Sequence, residues 1–324
     1  MTDATDAARD TLPADPQPLM GFADLVAMLE PLDEFRGDGP SPQEVVAAFP
    51  EWAAVDVEDV TVDGPHGRVP ARLYRPGGAD AAPVRAACVW VHGGAFVMGT
   101  LDMAESHAVG LALAHRGVAV LALDYRKALR GVRHPVPLDD VAAGWAWARA
   151  HADRLGVAAD DLHLGGASAG GALVAGLTLR LRDRGEPLPR SLVLAYTAVH
   201  PGPVGPSEEL ARIRRETADA FGDDFMDACC ANYAGAAIGD PYAFAANGDA
   251  TGLPPTLVLT CEQDVLRFSA EEWARDATAA GVDVVLEDLP GARHGVLDQP
   301  TTAHGRTMTT RIGDWLLTGA DGRA

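Results

Sequence analysis

Two periodicities alternate along this chain. Residues 55–62 and 68–74 alternate apolar with polar positions or run β-branched, with Gly64 and Gly67 between them, which predicts an N-terminal hairpin. Short apolar runs then recur at 87–91, 118–123, 161–164, 192–195, 255–261 and 282–286, each of strand length. Between and after them lie segments with helical spacing, around 103–115, 138–151, 169–182, 270–280 and 301–317. Buried strands alternating with amphipathic helices predict βαβ units, a mainly parallel sheet and helices on both of its faces. In such sheets reactive groups gather beyond the carboxyl ends of the strands. Residues 200–250 interrupt the rhythm with one helical stretch, 208–233, between Pro/Gly-rich edges and without a strand. Residues 18–50 carry short helical patterns cut by Pro31, Pro40, Pro42 and Pro50, and 1–17 read as a polar tail.

Composition narrows the function classes. The 324 residues suffice for one large α/β domain with a lid, and 48% hydrophobic residues supply its core. A net charge of −20 repels phosphate backbones and anionic membranes, which disfavours a nucleic-acid partner. Lys127 is the only lysine. Residues 1–17 lack the basic start and apolar stretch of a secretion signal, and no apolar run reaches the length of a membrane span; the expectation is a soluble, cytoplasmic protein. Cys88 and Cys261 fall in strands, and adjacent Cys229 and Cys230 do not pair readily. No spacing suggests a metal or redox site, so the thiols are read as buried and reduced.

The chemistry is carried by separated motifs. Gly166-Ala167-Ser168-Ala169-Gly170 sits between a strand and a helix. A sharp turn there needs small residues around the serine and projects its hydroxyl beside a helix N-terminus. His92-Gly93-Gly94-Ala95 follows the 87–91 strand, where a Gly-rich turn aims backbone N–H groups at one point, as an acyl-transfer oxyanion requires. A serine nucleophile needs a base and an orienting acid. His294, after the last predicted strand, and Asp264, after the 255–261 strand, lie on the same sheet edge as Ser168, with Glu262 as the runner-up acid. The order Ser, Asp, His is that expected of α/β-hydrolases. Of the other histidines, His107, His115 and His151 read as surface or boundary residues of helices.

In these motifs the chain resembles the hormone-sensitive-lipase-type esterases of the α/β-hydrolase fold. Besides the two turns above, the resemblance rests on Ala71-Arg72-Leu73-Tyr74-Arg75-Pro76, Asp124-Tyr125-Arg126, Leu138-Asp139-Asp140, Asp264-Val265-Leu266-Arg267 and His294-Gly295, across 50–317. It implies an eight-stranded sheet and a lid built from residues 1–50 and an insertion at about 202–245, on a catalytic domain of 51–324. It implies a small-molecule ester substrate of short to medium chain, no cofactor and no metal, and a homodimer paired through an edge strand. Ser168 would be the nucleophile, His294 the base and Asp264 its orienting acid. Gly94, Ala95 and Ala169 would offer N–H groups to the oxyanion, with Gly93 shaping that turn. Acyl transfer, lactone opening, a dehydratase-type elimination or simple binding on the same scaffold are the alternatives. The chain departs from the family pattern at Ala95, where a third glycine is usual, and at Ala167, where an aspartate is usual. Tyr125-Arg126-Lys127-Ala128-Leu129-Arg130 stands in place of Tyr-Arg-Leu-Ala-Pro-Glu.

Overall fold

The computed structural model describes residues 39–319, apart from 80, 82, 203 and 218–222. Eight strands form one sheet in the order β1-β2-β4-β3-β5-β6-β7-β8. These are β1 Asp56–Gly64, β2 Gly67–Arg75, β3 Ala86–Val91, β4 Val118–Leu123, β5 Leu162–Ala167, β6 Leu192–Ala195, β7 Thr256–Gln263 and β8 Val284–Arg293. The expected hairpin is β1–β2, and β2 joins the sheet antiparallel to β4. Every pairing from β4 through β3 to β8 is parallel.

The helices are α1 Pro42–Ala48, α2 Ala104–His115, α3 Val136–Ala150, α4 Ala169–Asp183, α5 Ser207–Thr217, α6 Asp223–Ala234, α7 Arg267–Ala279 and α8 Ala303–Thr318. Strand residues alternate strictly between the two faces. Ala87, Val89 and Val91 of β3 pack with α3, α4 and α7, whereas Ala86, Cys88 and Trp90 pack with α1, α2 and α8. Both faces of the central strands are therefore dry, which is why they read as unbroken apolar runs.

Among the described residues the 208–233 stretch holds two helical segments, α5 and α6, and its middle, 218–222, lies outside them. Two expectations need correction. The last strand does not stop at 286 but runs to Arg293, because β7 stays paired with it through Gln263 opposite Arg293, across a bulge between Cys261 and Gln263. An edge strand tolerates Pro290 and Gly291 on the way. His107 is not a surface residue. Helix α2 is buried from Ala104 through Ala114, and His107 accepts or donates through Nδ1 to the Tyr74 hydroxyl at 3.0 Å. A helix apolar around its whole circumference lies inside. Residues 1–38, most of the expected N-terminal lid, lie outside the described residues. The described chain starts at Gly39, packed so closely on the Asp298 carbonyl and Ala104 that a Cβ at 39 would lie 2.5 Å from that oxygen.

Candidate active site

Six residues each stand immediately after the carboxyl end of a strand: His92 after β3, Asp124 after β4, Ser168 after β5, Tyr196 after β6, Asp264 after β7 and His294 after β8. The sheet thus brings together residues as much as 202 positions apart, 92 to 294. His294 Nε2 lies 3.0 Å from Ser168 Oγ, and its Nδ1 lies 2.7 Å from Asp264 Oδ2. Asp264 is buried, and its other oxygen accepts the Leu266 N–H at 2.9 Å. Carboxylate, imidazole and hydroxyl therefore form one hydrogen-bonded line. The Tyr196 ring meets the imidazole edge to face at 5.0 Å, while two-fifths of the His294 side chain stays exposed.

The Ser168 turn is as tight as its motif demands. Ser168 has φ 50° and ψ −122°, a sparsely populated backbone region that costs an L-residue about 1–3 kcal/mol. A Cβ at Gly170 would lie 2.2 Å from the Val91 carbonyl oxygen, and one at Gly166 would lie 2.6 Å from the Gly170 backbone. Ser168 is also the N-cap of α4, a position where serine ordinarily turns its hydroxyl onto the helix. Here it makes no such bond, and its oxygen faces His294 instead. Ala169 is the first residue of α4.

The turn after β3 is held from several sides. The Gly93 N–H is donated to the buried Glu105 carboxylate at the start of α2, which engages that donor within the turn. The second Glu105 oxygen accepts the Tyr196 hydroxyl. Burial, then the charge of Glu105, raises the Tyr196 pKa well above its usual value, which keeps that phenol a donor. The Gly93 carbonyl accepts from His92 Nδ1 at 2.7 Å and from the Tyr125 hydroxyl at 3.1 Å. The Gly94 carbonyl accepts from the N–H groups of Val97 and Met98, both at 2.9 Å. Among the described residues the N–H groups of Gly94 and Ala95 donate to no protein acceptor. Ala95 and Phe96 both have positive φ, 51° and 66°. The Phe96 ring stacks on Tyr233 of α6 at 4.0 Å, which docks the insertion onto this turn.

Helix α5 is tied to both neighbouring loops. Glu209 lies 3.7 Å from Arg267, three residues after Asp264. Arg293, next to His294, reaches the carbonyls of Glu216 and Thr217 at the helix's end, both at 3.5 Å. Glu262, the runner-up acid, does not meet the imidazole. It accepts the Gly291 N–H at 2.7 Å and so braces the strand leading to His294. Sequence reasoning missed Glu105 and Tyr196. The signal for the first was a lone acid opening an otherwise apolar helix.

The four cysteines are buried and free. Burial pushes the Cys230 thiol up to about 12, with Asp227 adding to it, and lifts the other three further. Among the described residues no group of three or more His, Cys, Asp or Glu side chains is arranged to hold a metal ion. No described helix is long and apolar enough to cross a membrane.

Comparison with known proteins agrees with this fold. The model of a family with the α/β hydrolase fold matches residues 88–298. The chain is 31% identical to the carboxylic ester hydrolase LipN of Mycobacterium tuberculosis over 75% of its own length, and the match spans 65% of LipN, just under two thirds. It is 32% identical to the ethyl acetate hydrolase of Pseudomonas putida, over 74% of each protein. Among solved structures, an esterase of the bacterial hormone-sensitive lipase family superposes with a TM-score of 0.72 at 28% identity, covering 92% of this chain and 98% of that one.

Proposed function

Because the chain belongs to the α/β-hydrolase family, in its hormone-sensitive-lipase-type branch of ester hydrolases, we propose that it is a serine carboxylesterase acting on short- to medium-chain esters through Ser168, His294 and Asp264. The observation that carries this reading is the unbroken line Asp264–His294–Ser168 with spacings of 2.7 and 3.0 Å. Ser168 Oγ attacks the ester carbonyl carbon while His294 Nε2 takes its proton. Asp264 holds Nδ1 and stabilises the imidazolium that forms. The carbonyl oxygen becomes an oxyanion held by the N–H groups of Gly94, Ala95 and Ala169. The tetrahedral carbon then expels the alkoxide, which receives the proton from His294, and leaves an acyl-Ser168. Water, deprotonated by His294, attacks the acyl carbon, and a second tetrahedral intermediate releases the acid and restores the serine.

The lid of this reading is residues 1–50 with about 202–245. Two contacts support it: Gly39 packs on Asp298, four residues past His294, and α5 is fastened to Arg267 and Arg293. A fluorophosphonate is expected to label one serine per chain, Ser168, with loss of p-nitrophenyl esterase activity in proportion. A panel of p-nitrophenyl esters from two to twelve acyl carbons is expected to peak at the short end. Labelling elsewhere, or full labelling without loss of activity, would overturn the assignment.

The oligomer expected here is a pair joined through an edge strand. Among the described residues each edge exposes one large hydrophobic, Val57 on β1 and Leu286 on β8, and β8 is favoured because a second copy would meet fewer carboxylates there, Glu287 and Asp288, than on β1, which carries Asp56, Glu58, Asp59 and Asp63. Sedimentation velocity is expected to give a dimer that Leu286→Asp weakens, and a monomer in the parent protein would refute it.

A further inference from the structure

We propose that Lys127 is a positioning residue for the oxyanion hole, acting through the His92 imidazole on the Gly93–Gly94 peptide. This rests on reading the Gly94 and Ala95 N–H groups as oxyanion donors. In a peptide unit the carbonyl and the N–H are two ends of one dipole, so hydrogen bonds accepted by the oxygen strengthen the N–H as a donor. Both donor peptides are prepared in this way. The Gly94–Ala95 unit has its carbonyl in the turn, where two backbone N–H groups reach it. The Gly93–Gly94 unit has its carbonyl held by two side chains, His92 and Tyr125.

A formal charge reaches only the second of these arrangements. With Nδ1–H committed to the Gly93 carbonyl, His92 Nε2 is left to accept, and Lys127 Nζ lies 3.4 Å from it. The neighbouring Asp124 carboxylate, 3.5 Å from Nε2, has no proton to offer it. The ammonium is held in place by Asp124 Oδ1 at 2.6 Å and the Tyr125 carbonyl at 2.7 Å, and it sits 4.4 Å over the Tyr125 ring, which in turn stacks on His92 at 4.8 Å. The Lys127 side chain is only 9% exposed and His92 is fully buried, so water screens little of this charge. Burial works to raise the Asp124 carboxyl, but the Lys127 ammonium beside it pulls the other way and the carboxyl stays below its usual value, so the lysine keeps an ionised partner. The only lysine of the chain thus sits behind the peptide that faces the reacting carbonyl.

A lysine serving merely to neutralise Asp124 would give a different result on substitution. In Lys127→Met, kcat on p-nitrophenyl butyrate is expected to fall about tenfold with KM within twofold, because the oxyanion exists in the transition state and not in the bound ester. The loss is smaller than the 10²–10³ typical of deleting a donor outright, since the N–H remains. The inhibition constant of an aliphatic trifluoromethyl ketone, whose carbonyl becomes an oxyanion when Ser168 adds to it, is expected to rise by the same factor. Asp124→Asn/Lys127→Met, which removes both charges, is expected to keep both losses, whereas a neutralising role predicts recovery. Should the single variant not fold, this double variant carries the test alone. Values within twofold of the parent in either folded variant would overturn the proposal. If Ser168→Ala stayed active, the underlying reading would fail first; if Ser168→Ala were inactive and the Lys127 variants normal, this inference alone would fall.

Discussion

Ser168→Ala is expected to lower kcat on p-nitrophenyl butyrate by about 10⁵-fold or more while leaving a folded protein. The size of the effect follows from what is removed. Without Oγ no acyl-enzyme forms, His294 has no proton to take, and the remaining machinery can only bind the ester and polarise its carbonyl toward water. Such residual catalysis by binding and oxyanion donors is small beside the covalent route. The fold is spared for reasons specific to this turn. The hydroxyl does not cap α4, so its loss leaves no helix donor newly unsatisfied. Alanine keeps the Cβ already seated at φ 50°, and the small neighbours Gly166 and Gly170 are unchanged. Matching thermal melts with parent and variant, together with single-turnover kinetics, measure the two halves separately. Activity above about one per cent of the parent, with protein contamination excluded by mass spectrometry, would sink the nucleophile assignment.

The same turn shows why part of the site was legible in the sequence. Gly166 and Gly170 are glycines because backbone occupies the space a Cβ would need, and such constraints leave a local signature. The strands were legible because burial on both faces makes them apolar throughout, and strand ends then placed Ser168, Asp264 and His294 on one edge. The illegible parts depend on partners distant in the chain. Glu105 reads as an ordinary first-turn acid until the fold sets it against Gly93 and Tyr196. Lys127 shows in the sequence only as the single lysine and a departure from the family run, and its burial between Asp124 and His92 depends on β4 and the loop after it. His107 reads as a helix surface residue, yet α2 is covered by α1 and the sheet. The continuation of β8 to Arg293 depends on its pairing with β7, which no local pattern of 287–293 records.

Asp264→Asn is expected to cost about 10³–10⁴ in kcat, with KM little altered. Asp264 Oδ2 accepts from His294 Nδ1–H at 2.7 Å, which leaves Nε2 unprotonated and facing Ser168 Oγ at 3.0 Å, the arrangement a general base requires. The second oxygen is already committed to the Leu266 N–H. An asparagine that preserves that bond must therefore turn its NH₂ toward His294. An NH₂ donates, so the imidazole is driven to accept at Nδ1 and carry its proton at Nε2, directed at the serine instead of taking from it. The variant should fold, because side-chain volume and the Leu266 bond are both retained. It should lose most of its fluorophosphonate labelling rate, since that reaction also needs a deprotonated serine. Glu262 cannot substitute, because its carboxylate is held by the Gly291 N–H and not by the imidazole. Near-parental turnover in Asp264→Asn would mean that another acid orients His294. A strong loss in Glu262→Gln, with its Gly291 contact conserved through the amide oxygen, would point to that residue; the geometry here predicts that Glu262→Gln stays within a few-fold of the parent.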